Sequence, residues 1–209
     1  MRLISWLKKN NFKPGQSLLE VTMAIGILML GLLGVMALTS SSYSASSESQ
    51  DRIVAVNLAR EGVEAVRSIR DNSWLSGGTS GWYQTLSSGG DVTAIPVLDP
   101  VTLAWSVDFG ANSLSDAGSV VWRDQNSLYR QSASGVSGAS ATLYSRLLTL
   151  YPICRDSFTN TEVSDQATCA TGLTQVGVRV VVSVSWLRHG SHQVTLEDFL
   201  YNWRYAPAT

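Results

Sequence analysis

Histidine, cysteine and lysine are all scarce in this chain, and each scarcity narrows the chemistry open to it. The only two histidines among 209 residues are His189 and His192, three apart across a glycine. Glu197 and Asp198 follow shortly after, but zinc calls for a tighter constellation with a helix or cysteine partner. The segment therefore reads as a solvated hairpin turn, and no metal site is expected. The many serines have no histidine in a recognisable setting, no glycine-rich loop leads into a helix, and the acids are too dispersed for a calcium loop. No cofactor motif is present either, so the chain is not expected to be an enzyme.

Lysine is confined to Lys8, Lys9 and Lys13, all ahead of Gly15 together with Arg2. Without residues 1–15, eleven basic groups face sixteen acids, a net charge of -5. A lysine-free, mildly acidic remainder is not built to hold nucleic acid through a general phosphate-neutralising surface. Arg123, Arg130, Arg146, Arg155 and Arg179 offer a possible basic stripe for DNA, but they are interleaved with acids. The two cysteines, Cys154 and Cys169, lie in the second half of the chain around a polar loop. In an oxidising compartment they would form a disulfide stabilising by roughly 3 kcal/mol on a chain-entropy estimate, and in the cytosol they would be free thiols.

One long hydrophobic run is present. Residues 18–38 read LLEVTMAIGILMLGLLGVMAL, 21 residues with a single ionisable side chain, Glu20. As a helix this run reaches roughly 32 Å, close to the hydrocarbon thickness of a bilayer, and no second stretch of the chain can do the same. The basic residues ahead of it set the N-terminus in the cytoplasm and the remainder outside it. A secretory signal would have a shorter apolar core followed by a small-residue cleavage site. Here the conspicuous small residue is Gly15, before the run.

The pattern KPGQSLLEV ahead of about 20 apolar residues resembles the class III leader of type IV pilins and type II secretion pseudopilins. The wording GILMLGLLGVMAL is closest to V-type minor pilins, the pilus modification proteins. The resemblance implies that a prepilin peptidase cuts between Gly15 and Gln16, that the new N-terminus is methylated, and that the apolar helix stays on the mature protein. Glu20 then becomes the fifth mature residue, where the family has its glutamate. The resemblance makes it an assembly residue that meets the N-terminal amine of a neighbouring subunit, since a mis-registered subunit would bury both charges unpaired. Two departures stand out. Gln16 replaces the usual phenylalanine and could instead cyclise to pyroglutamate, and no proline interrupts the apolar helix.

Proline is absent from residues 16–95, which permits one helix of 55 residues and about 80 Å over residues 16–70. Its second half carries Ile53, Val56, Ala59, Val63, Val66 and Ile69 at the three-to-four spacing of a single apolar stripe. Glu48 with Arg52, Arg67 with Asp71 and Glu64 with Arg67 are spaced to pair on the exposed side. Beyond Asp71, β-branched runs alternate with glycine- and serine-rich turns. In the strongest run Val178, Val180, Val182, Val184 and Trp186 share one face, and a closing hairpin is expected with Val194, Leu196 and Phe199 inward.

The expected fold is therefore α+β: a long N-terminal helix, its first half transmembrane, packed by its second half on an antiparallel sheet of four to six strands in the lollipop plan of pilins. Residues 1–15 are the leader, 16–38 the membrane and assembly half of the helix, 39–71 its amphipathic half, and 72–209 a β-rich head. Most of the seven tryptophans are expected in the sheet core. The function expected is that of a minor pilin or pseudopilin in a type IV filament. Its partners would be prepilin peptidase, other subunits, an inner-membrane assembly platform and lipid, with the chain held in the inner membrane and then in a surface or periplasmic filament. The alternatives are a tip module that binds DNA or an extracellular ligand, and a signal-anchored protein that never assembles.

Overall fold

The computed structural model describes residues 14–76, 81–87, 89–188 and 190–202, with side chains from Ser17 onward. Helix α1 spans Pro14–Leu75, so Pro14 occupies the first turn, where its missing N–H costs nothing. The chain divides into two units, Met1–Glu48 and Ser49–Thr209. The first is helical throughout its described part. The second, the head, is α+β: the remainder of α1 lies against an antiparallel sheet, as the periodicities predict.

Among the described residues strand β5 (Ser140–Asp156) is the longest of eight. On one edge it pairs with β7 (Leu173–Leu187), which pairs in turn with β8 (Ser191–Tyr201). Its other edge takes three short partners in succession: β3 (Val120–Arg123), β1 (Thr93–Leu98) and β6 (Glu162–Val163). Beyond these, β2 (Trp105–Asp108) pairs with β1, and β4 (Tyr129–Arg130) with β3. The excess over the expected four to six strands comes from pieces two residues long. These are too short to leave a periodicity in sequence, and β6 lies inside the polar loop between the cysteines.

The sheet turns Val178, Val180, Val182, Val184 and Trp186 to the core, all buried. In β8 the inward positions are Val194, Leu196, Asp198 and Leu200, whereas Phe199 is 47% exposed. The expectation for Phe199 fails because the β7–β8 register runs without a bulge, so alternation continues to the strand's end. A carboxylate is tolerated at inward position 198 because Arg67 of α1 donates to it at 2.8 Å. Arg67 also pairs with Glu64 at 2.6 Å, while Asp71 pairs with Arg70 instead of Arg67.

The face that α1 applies to the sheet is rotated from the expected stripe. Ala55, Leu58, Ala59, Val63, Val66 and Ile69 are buried, but Ile53 is 59% exposed and Val56 half-buried. Small residues decide this. At Gly62 an added Cβ would stand 2.9 Å from Val182 Cγ1 and 3.2 Å from Leu148 Cδ2, so the glycine lets helix and sheet approach closely and fixes which side faces in. The helix continues past Asp71 because Trp74 is buried against Trp82, with ring centroids 5.7 Å apart, and carries the Arg70 guanidinium 4.6 Å from its ring.

Polar contacts lock the register of helix on sheet. Arg146 is fully buried: its Nη1 donates to the Leu58 carbonyl at 3.0 Å and lies 3.4 Å from Glu61, and its Nε donates to Gln131 Oε1 at 2.7 Å. The Gln131 amide then donates to the carbonyls of Ser119 and Arg146. At the end where α1 enters the head, Tyr144 donates to Asp51 at 3.2 Å. Arg188 stands 2.6 Å from the other Asp51 oxygen, an ion pair without hydrogen-bond alignment. Burial, with the Asp51 charge beside it, pushes the Tyr144 hydroxyl above its usual range, so it remains a donor.

Candidate functional site

In the first unit every described side chain from Ser17 to Ser46 is exposed. Leu18, Leu30 and Leu38 are each at least 70% exposed, and the apolar surface runs around the helix with no stripe. A helix apolar all round wants an apolar environment on every side. Its best 18-residue window has a mean hydropathy of 2.4. Among the described residues this is the single helix long and apolar enough to cross a membrane, which suits a single-pass anchor.

Within residues 18–39 both hydroxyls are satisfied by the helix itself. The hydroxyls of Thr22, Thr39 and Ser44 donate to the carbonyls of Leu19, Val35 and Ser40 at 2.9, 2.8 and 3.1 Å. Such back-bonding lets a hydroxyl sit in an apolar setting at little cost. Glu20 has no such recourse: among the described residues it makes neither a hydrogen bond nor an ion pair. The nearest cation after it in sequence is Arg52. Gly15 and Gln16 lie in the first turns of α1, and the Gln16 side chain falls outside the described set, as do residues 1–13, where the leader is expected. Gly26, Gly31 and Gly34 face open space within the chain.

In the head, Cys154 and Cys169 are joined by a disulfide. The turn between β5 and β6 lifts Phe158 to 98% exposure. The Asp156 carboxylate holds that turn by accepting the N–H groups of Phe158 and Thr159 at 2.7 and 3.2 Å, and these bonds lower its carboxyl below the usual range.

No His, Cys, Asp or Glu cluster among the described residues could hold a metal. His189 is outside the described set. His192 stacks on Trp186 with ring centroids 5.3 Å apart, while Glu197 and Asp198 are engaged by Arg179 and Arg67. Nor do the five arginines form a stripe. Arg146 is interior, Arg155 pairs with Glu162, Arg179 with Asp165 and Glu197, and Arg123 donates to Ser127. Of the tryptophans, Trp74, Trp82 and Trp186 are buried, Trp105 and Trp122 are half-buried, and Trp203 lies outside the described residues.

Open cavities cut the head among its described residues. One of about 550 Å³ runs between the end of α1 and β2, lined by Ile69, Ser73, Thr85, Trp105 and Val107 among others. The second, about 450 Å³, gathers Asp99, Arg130, Ser132 and Ser137 with Leu98 and Val136. Sequence reasoning misses this second grouping because Asp99 and Arg130 are far apart in the chain and come together only through the pairing of β1 and β3 on β5. Compared with protein-family models, curated proteins and solved structures, the chain finds no match.

Proposed function

We propose that this chain is a structural subunit, a minor pilin or pseudopilin, of a type IV filament. Prepilin peptidase trims it after Gly15, and it assembles through its apolar N-terminal helix with Glu20 as the register-setting charge. One observation carries this reading: an apolar helix, exposed on every face and with the Thr22 and Thr39 hydroxyls answered within it, holds one carboxylate that the described chain leaves unpaired. A carboxylate in that position costs several kcal/mol or forfeits its charge unless something outside the chain meets it, and the amine of a neighbouring subunit is a partner of the right charge. The KPGQSLLEV leader gives the route by which such an amine is produced at Gln16. Before assembly the subunit sits in the inner membrane with its N-terminus cytoplasmic and its head outside, in contact with lipid, the peptidase and the assembly platform. In this reading the head serves as a structural module, with Arg155 and Arg179 engaged by acids of its own strands and loops.

The deciding experiment is the intact mass of the protein recovered from the membranes of its own host. The expected result is loss of residues 1–15, with or without one added methyl. An uncut chain would refute the processing pathway and leave a signal-anchored protein whose Glu20 needs another account.

A further inference from the structure

Arg130 is the half-buried arginine of the head that the fold does not use. Among the described residues its side chain makes no hydrogen bond and no ion pair. The other half-buried or buried arginines described in the head all have partners for their guanidinium groups. Arg130 lines the 450 Å³ cavity, a volume within the range of about 300–1,000 Å³ usual for small-molecule sites.

The rest of the cavity wall restricts what would answer that guanidinium. Asp99 is there too, close enough for Arg130 to act on its carboxyl but outside ion-pairing distance. Its Oδ1 accepts the N–H groups of Val101 and Thr102 at 2.8 and 3.1 Å. Those bonds, and after them the Arg130 charge, hold the Asp99 carboxyl below its usual range, so it stays ionised as a pure acceptor. It repels a second anionic group and welcomes hydroxyl donors. Ser132 and Ser137 add hydroxyls that can donate or accept, and Leu98, Pro100 and Val136 supply an apolar floor. Gln131 lines the site as well, but both ends of its amide are committed to Arg146 and Ser119.

We infer that this cavity is a binding site for an acidic sugar. The planar Arg130 guanidinium takes the single carboxylate of a hexuronate in fork geometry, Asp99 and the serines take its ring hydroxyls, and the apolar floor takes its C–H face. Arginine suits a carboxylate because its fork matches two oxygens at once. The one acidic residue beside it limits the ligand to one charge at that end. This goes beyond subunit assembly and does not depend on it, since none of these residues belongs to the first unit.

The test is a calorimetric titration of the full-length chain in detergent micelles with glucuronate, galacturonate, glucose and acetate. At least one uronate is expected to bind, with glucose and acetate weaker by about tenfold or more, the scale of one charged, bidentate contact. Arg130→Gln is expected to remove that preference, and Arg130→Lys to retain only part of it. Equal binding of glucose and uronate, unchanged uronate affinity in Arg130→Gln, or no uronate binding at about 10 mM would each overturn the inference. If Arg130→Gln does not fold, the uronate-to-glucose ratio on the unaltered chain decides. The mass of the membrane protein, which tests trimming, is independent of every one of these outcomes.

Discussion

Replacing Gly62 with alanine puts the packing of α1 on the sheet to a quantitative test, because two effects of opposite sign meet at one methyl group. In an open helix, Gly→Ala stabilises by about 0.8–1.0 kcal/mol. Here the new Cβ would lie 2.9 Å from Val182 Cγ1, 3.3 Å from Val182 Cγ2 and 3.2 Å from Leu148 Cδ2. Val182 is fully buried in the middle of β7, with Leu148 and Leu196 opposite it on the flanking strands. A β-branched side chain so placed has one χ1 well and no room to leave it, so the helix must lift or the strand shift. Overpacking of this kind costs about 1–3 kcal/mol. The sum is a destabilisation of roughly 0–2 kcal/mol. The relief variant is Val182→Ala, which alone loses buried methyls at a cost of about 1.5–3 kcal/mol. Combined with Gly62→Ala, the new methyl moves into the vacated space, so the pair should be less destabilised than the sum of the singles by about 1–2 kcal/mol. Urea unfolding of the full chain in micelles, followed through the buried Trp74, Trp82 and Trp186, measures all three variants. A Gly62→Ala protein more stable than the parent by the propensity term, together with strict additivity in the double variant, would refute the close approach.

Three further outcomes are expected. Arg146→Ala should cost about 3–5 kcal/mol in the same titration, because it strands the Gln131 amide and the Leu58 carbonyl inside the head, and a loss under about 1 kcal/mol would contradict the lock described above. The carboxyls of Asp99, Asp116 and Asp156, held by backbone N–H groups, and of Glu162, held by Arg155, all lie below their ordinary values of 3.8 and 4.5. A depressed carboxyl contributes stability that is present above its unfolded value and lost as pH falls through the folded one, so the urea midpoint should hold from neutrality to about pH 5 and fall below about 4.5, and a midpoint flat or rising down to about pH 3 would refute this. Glu20→Ala should leave trimming and membrane insertion intact while lowering incorporation into filaments, and undiminished incorporation, scored by immunoblot of sheared filaments, would remove the register role.

Periodicity made the α+β plan legible because it depends on hydrophobicity alone. The alternation of Val178 to Trp186 marks one buried face, and the proline-free stretch from Gln16 lets a single helix run. Details that depend on distant partners were not legible. Ile53 and Val56 are more hydrophobic than Ala55 or Gly62, yet the small residues face the sheet because closeness of approach, and not apolarity, sets the contact line. Phe199 looks like the inward residue and Asp198 like its outward neighbour until Arg67, 131 positions away, is seen to satisfy the carboxylate. Of the arginines that read as a basic stripe, Arg146 proves to be the interior one, and its Gln131 partner carries no motif. At Glu20 the opposite holds: its oddity is complete in the sequence, since an acid in an apolar run is conspicuous before any fold is known.

Arg146 and Glu20 are each a charge in an apolar setting, and the contrast between them bears on what the chain requires from outside. Burial lowers the proton affinity of Arg146, and Glu61 pulls it back. The chain answers that charge with its own groups: Glu61, the Leu58 carbonyl and the Gln131 amide, drawn from α1 and from the segment after β4. A fold able to assemble that cluster is not short of means to satisfy a charge. Yet no described group meets Glu20, and the chain has no cationic side chain from Ser17 to Asp51. If Glu20 merely snorkelled to lipid headgroups, an uncharged glutamine there would serve equally well and Glu20→Gln would assemble as the parent does. If it sets register against an N-terminal amine, Glu20→Gln should fail in the same measure as Glu20→Ala, because the charge is what is matched. Parent-like filaments from Glu20→Gln would decide for snorkelling and against register.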